Sequence, residues 1–192
     1  MDRVPGLMTA MAAALVAAVS LAVAGCGGGD DEGSASASDT KPPAGFTRTQ
    51  TKDFKVDLPS GWQVSKLGEA GSEVLQARPA GTDVNRAQLR VGAAREYKGD
   101  VNAALLQAQG EIPVRRPGAT RVVSKAIDID GAADARRVEW TVPAGGGLEP
   151  ARIVTVLALS KDRTLVNLSV GVPQSELAGA RIEDIVGSLQ VR

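Results

Sequence analysis

Residues 121–142, RVVSKAIDIDGAADARRVEWTV, place two extended segments, Arg121–Ile129 and Ala133–Val142, on either side of Asp130-Gly131. An Asp-Gly pair accepts the positive φ that tight hairpin turns demand, so the two segments are expected to pair antiparallel. Val138, Trp140 and Val142 recur at every second residue and form the inward face of the second strand. The chain then repeats the device: Ile153–Ser160 and Thr164–Val172 flank Lys161-Asp162-Arg163, and their β-branched and leucine content marks central strands. Connections this short dictate antiparallel pairing, because parallel neighbours need a crossover of a dozen or more residues.

Upstream of these hairpins the period changes. Val101, Ala104, Leu105, Ala108 and Ile112 form one stripe of an amphipathic helix, with Asp100 placed to cap it and Pro113 expected to end it. Arg115, Arg116, Pro117 and Gly118 follow as a basic loop. Further upstream, Glu73–Arg78 and Gln88–Ala94 are strand candidates separated by the turn-like Pro79-Ala80-Gly81-Thr82-Asp83. Phe54-Lys55-Val56-Asp57-Leu58 and Trp62-Gln63-Val64 alternate around Pro59-Ser60-Gly61. They read as an N-terminal hairpin with Phe54, Val56, Leu58, Trp62 and Val64 facing one core. Downstream, Pro173-Gln174-Ser175 breaks the sheet, and Ala178, Ile182, Ile185, Val186 and Leu189 form the stripe of a closing helix capped by Ser175. The sum is an α+β domain over residues 46–192: a mostly antiparallel sheet of about six to eight strands flanked by helices. Its roughly 147 residues suit one core without staples.

Residues 27–44 carry no large apolar side chain and read as a linker with a span of about 24 Å. Before it, Leu7–Val23 is an alanine-rich apolar run after Arg3, interrupted by Thr9 and Ser20, and it ends at Leu21-Ala22-Val23-Ala24-Gly25-Cys26. This stretch resembles the lipobox of bacterial lipoproteins. The resemblance implies a signal peptide over 1–25, a diacylglyceryl thioether on Cys26 as mature N-terminus, and a lipidated linker over 26–45. The alternative is an uncleaved anchor, since the run is close to the shortest spanning length. Either way the body is expected on the extracytoplasmic face of the cell membrane, and the membrane is its first partner.

The stretch Phe54-Lys55-Val56-Asp57-Leu58-Pro59-Ser60-Gly61-Trp62 and the terminal segment Val154–Leu189, ending Ile185-Val186-Gly187-Ser188-Leu189, resemble the PsbP-like superfamily of extrinsic photosystem subunits and related actinobacterial lipoproteins. The likeness implies an antiparallel sheet flanked by helices and a noncatalytic binding role. It transfers no ligand and no functional residue.

The chain has 22 basic and 22 acidic residues, and the body from Phe46 onward keeps 20 bases and 17 acids, too small an excess to argue nucleic-acid binding. The chain lacks histidine, and its single cysteine is assigned to lipid. Ser-His-Asp and Cys-His nucleophiles and histidine zinc sites are therefore excluded. Asp128-Ile129-Asp130-Gly131-Ala132-Ala133-Asp134 departs from a calcium loop after Asp130. Gly145-Gly146-Gly147 leads into a strand rather than a helix and reads as a flexible connection, not a phosphate loop. Glu183-Asp184 reads as a solvated helix face, while Ser124-Lys125 and Ser160-Lys161 place their side chains on opposite strand faces. Trp62 and Trp140 read as core anchors. The basic patch of Arg115, Arg116 and Arg121 is the one feature suited to anionic headgroups or glycan phosphates.

No catalytic residue, metal site or cofactor is implied. The expected function is a lipid-anchored, extracytoplasmic, noncatalytic protein binding a partner protein or an envelope glycan or lipid. The alternatives are a lipid or glycolipid carrier and a carboxylate-based hydrolase. Small residues at Ala104, Ala108 and Ala178 are expected to let the helices lie tightly on the sheet, leaving no lipid-sized void.

Overall fold

The computed structural model describes residues 41–67, 74–81 and 86–192; the expected signal peptide, Cys26 and almost all of the expected linker lie outside the described residues. The described residues belong to one compact unit. Its strands are β1 (Phe46–Gln50), β2 (Phe54–Pro59), β3 (Trp62–Leu67), β4 (Val74–Pro79) and β5 (Gln88–Ala94), followed by helix α1 (Val101–Arg115). Then come β6 (Thr120–Ala126), β7 (Ala132–Val142), β8 (Ala151–Ser160), β9 (Leu165–Pro173), helix α2 (Ile182–Gly187) and β10 (Gln190–Val191). Seven strands form an antiparallel sheet in the order β3-β4-β5-β9-β8-β7-β6, and three form a small antiparallel sheet in the order β1-β2-β10. The fold is α+β.

Period-two alternation gives the large sheet two distinct faces. Leu89 and Val91 of β5, Val154 and Val156 of β8, and Val166, Leu168 and Val170 of β9 point to one side and are fully buried. On that side they meet Phe54, Val56 and Leu58 of β2, Ile182 and Ile185 of α2, and Leu189, which together make the main core. On the other side α1 packs over β7 and β8, where Val101 and Ala104 join Leu157, Leu159 and Leu165 in a smaller cluster. The β8–β9 turn helps to seat this helix. Arg163 takes a left-handed φ of 71°, and its guanidinium donates to the carbonyls of Tyr97 (2.9 Å) and Gly99, just ahead of α1.

Four local expectations are corrected. The Pro59-Ser60-Gly61 turn does not close a hairpin: β2 pairs with β1 and β10, whereas β3 pairs with β4, so the turn carries the chain from one sheet to the other. Val64 is consequently exposed and Trp62 only partly buried. Asp130-Gly131 does turn the chain, the Ala132 N–H donating to the Ile129 carbonyl at 3.0 Å, but the paired strands stop short of it, at Ala126, and resume at Ala132. The connection is also tied to β10, with the Val191 N–H donating to the Asp130 carbonyl at 2.8 Å. Asp100 caps α1 as expected, its Oδ1 accepting from Ala103 N at 2.7 Å, but the helix runs through Pro113 to Arg115, where the Arg116 N–H reaches Ile112 O at 2.8 Å. Finally, the closing helix is broken. Gln174–Glu176 form one 3-10 turn and Arg181 adopts φ 49°, so α2 starts only at Ile182, Ala178 is exposed, and Ser175 caps nothing.

Candidate functional site: a groove between the first helix and the sheet

Helix α1 packs most closely on the sheet through its N-terminal half. Val101 and Ala104 are buried, Ala108 and Ile112 are half-buried, and Leu106 and Val114 face away from the sheet and are exposed. Beneath the C-terminal half, β5 and β9 present Gly92, Asn167, Ser169 and Gly171, residues with too little apolar bulk to hold the helix down. The result is a groove of about 550 Å³ with Ala104, Ala108 and Ile112 on its helical wall and Ile153, Leu157 and Leu165 on its floor. A second cavity of about 580 Å³ lies between the start of β5, the end of β7 and the loop after α1. The two share Arg90, Arg115, Arg116, Ile153 and Ser169 and are lobes of one groove. Ala104 therefore packs on the sheet as expected, buried at 5% exposure, whereas Ala108 is left half-buried at the edge of a groove of ligand size.

Arginine sets the electrostatics. Arg86, Arg90, Arg115 and Arg116 line the groove against two acids, Glu111 and Glu149, one in each lobe. Arg86 lies 3.3 Å from Glu176, and Arg115 lies 3.7 Å from Glu111, an exposed pair that contributes little. Arg90 and Arg116 have no ion pair among the described residues. Their guanidinium groups are free to meet a carboxylate or phosphate with two parallel N–H donors. Hydroxyl groups add donors on the floor, where Thr155 Oγ1 and Ser169 Oγ stand 3.5 Å apart.

Of the basic patch read from the sequence, Arg115 and Arg116 enter the groove, whereas Arg121 sits on edge strand β6 and does not line it. Arg90 was missed, although its place between inward-facing Leu89 and Val91 already puts it on the opposite face. Gly145-Gly146-Gly147 is a closed turn rather than a flexible connection. Gly145 and Leu148 exchange two hydrogen bonds of 2.9 and 3.1 Å, and Gly146 and Gly147 both have positive φ, as a type I′ turn requires. It borders the second lobe.

The other candidates fall elsewhere. Glu183 lies on a solvated helix face as expected, with 72% of its side chain exposed, but it is not free. Arg137 Nη1 and Nη2 donate to its two oxygens at 2.5 and 2.6 Å, tying α2 to β7 on the main-core side of the sheet. Asp184 accepts from Arg181 Nε at 2.7 Å. Ser160 Oγ is taken up by the β8–β9 turn, donating to Asp162 and accepting from Thr164 N at 3.0 Å. Trp140 is buried. No helix of the described residues is long and apolar enough to cross a membrane.

No family model and no curated protein sequence matches the chain. Solved structures do share its fold. Cyanobacterial PsbP (CyanoP) from Synechocystis sp. PCC 6803 superposes with a TM-score of 0.58 at 14% identity, over 83% of this chain and 98% of that one. LpqN of Mycobacterium tuberculosis, described as involved in cell envelope biogenesis, gives 0.50 at 16% identity over 76% and 90%. The Ran-binding protein Mog1p of Saccharomyces cerevisiae gives 0.51 at 12% identity over 76% and 95%. At these identities the likeness shows the fold alone: PsbP-like α+β.

Proposed function

We propose that this chain is an extracytoplasmic lipoprotein, tethered through lipidated Cys26, whose noncatalytic body binds an envelope component in the groove beneath α1. The observation that carries the binding reading is the groove itself, an apolar floor beside arginines without ion-pair partners. A binding role also fits the company the fold keeps, since the relatives include a Ran-binding protein and a protein involved in cell envelope biogenesis. The acids Glu111 and Glu149 line separate lobes, an arrangement that does not favour a two-carboxylate hydrolase. The exposed Leu106 and Val114 on α1 and Val122 on β6 favour a second reading in which a partner protein docks on the outer surface of the helix and the neighbouring edge strand.

Tethering is tested on protein extracted from membranes. Its N-terminal peptide should begin at an acyl-modified Cys26, and Cys26→Ser should release the exported chain from the membrane, because stable anchoring needs two or more chains. An intact Met1 terminus in the membrane fraction would refute the lipoprotein reading.

A further inference from the structure

We infer that the groove accepts a phosphate-bearing single-chain amphiphile, its hydrocarbon lying in the lobe under α1 and its phosphate held where the two lobes meet. The inference rests on the groove being the binding site. Its first support is the division of chemistry along the groove. The lobe under α1 offers Ala108, Ile112 and Ile153 as part-exposed apolar surface above buried Leu157 and Leu165, beside the polar Asn167 and Ser169, while Arg90, Arg115 and Arg116 line both lobes and so stand at their junction. Its second support is charge. Arg90 and Arg116 lack ion-pair partners among the described residues, and two guanidinium groups lining one junction attract a doubly charged phosphate more than a neutral or zwitterionic headgroup. Size agrees, since each lobe falls within the range of small-molecule sites. The groove is open to solvent on one side, which suits exchange with a membrane that the proposed tether keeps within reach.

The test uses the full chain carrying Cys26→Ser, which removes the protein's own acyl chains as competitors. Lauroyl lysophosphatidate, lauroyl lysophosphatidylcholine and inorganic phosphate are each titrated below micelle concentration and followed by calorimetry and native mass spectrometry. The lysophosphatidate should bind one to one, and at least about tenfold more tightly than either comparison ligand. Arg90→Glu combined with Arg116→Glu should abolish that preference while leaving the melting temperature in place, both side chains being outside the cores. Ala108→Trp, which fills the lobe under α1, should abolish binding of both lipids. Equal affinity for the two lipids, unchanged by the arginine substitutions, would overturn the phosphate inference and leave the groove reading standing. Inorganic phosphate binding as tightly as the lysophosphatidate would overturn the amphiphile part. Binding of neither lipid would count against the groove reading as well.

Discussion

Replacing Arg137 with methionine should lower the free energy of unfolding by about 3 kcal/mol, measured by denaturant titration of the chain carrying Cys26→Ser. Arg137 and Glu139 are among the most buried charged residues described, at 5% and 4% exposure, on the face of β7 that carries the main core. Arg137 Nε lies 2.9 Å from Glu139 Oε1, close enough for charge attraction but too poorly aligned for a hydrogen bond, so its Nε–H goes unsatisfied. The guanidinium meanwhile holds both oxygens of Glu183. Removing it leaves Glu139 facing the core with Arg152 alone, whose Nε donates to Oε2 at 3.0 Å. That surviving contact is why the loss belongs at the low end for a broken buried pair. Adding Glu139→Leu should recover much of it, since the cost lies in the stranded charge rather than in the attraction lost.

The same group predicts an acid response. The hydrogen bonds from Arg137 hold the Glu183 carboxyl below its ordinary value of 4.5, outweighing the opposite effect of burial. A carboxylate whose folded pKa is depressed contributes stability that is full above its unfolded pKa and lost as pH falls through the folded one. Glu183→Gln should therefore flatten the fall in stability below about pH 4.5, and should do so much less when Arg137 is already methionine.

Gly131→Ala should cost on the order of 3 kcal/mol, read from the same titration. Gly131 has φ 78°, and a Cβ placed there would collide with the Val191 carbonyl oxygen. The neighbouring Val191 N–H to Asp130 carbonyl bond fastens the connection before β7 to the C-terminal strand. Since β10 also pairs with β2, a methyl group at Gly131 presses on the small sheet as well as on the connection. Gly131→Asn separates the two causes. Asparagine accepts positive φ, so an equally large loss would assign the effect to the collision rather than to backbone strain.

Local signals were legible where the structure is local. Gln88–Ala94 forms β5 with the boundaries its alternation suggests, Asp100 caps α1, and Lys161-Asp162-Arg163 turns β8 into β9. Legibility failed at the small sheet. Residues 54–58 alternate as well for a hairpin with Trp62–Val64 as for their actual partners: β1, just upstream and not read as a strand, and Gln190-Val191, a two-residue strand too short to carry a pattern. The closing helix failed for a different reason: its apolar stripe is real, but the left-handed Arg181 interrupts the helix that the stripe implied. At the site, Arg115 and Arg116 were visible as an unusual basic pair, yet the groove was not. It exists because small and polar residues on β5 and β9 happen to face the same end of α1, a coincidence that only the strand order reveals.

The most direct test of the account is hydrogen–deuterium exchange of the Cys26→Ser chain with and without an envelope lipid extract. Ligand in the groove should slow exchange in α1 around Ala104–Ile112 and in the Arg115–Gly118 segment, with α2 unchanged. Protection confined to β3, β6 or α2, with α1 unaffected, would contradict it.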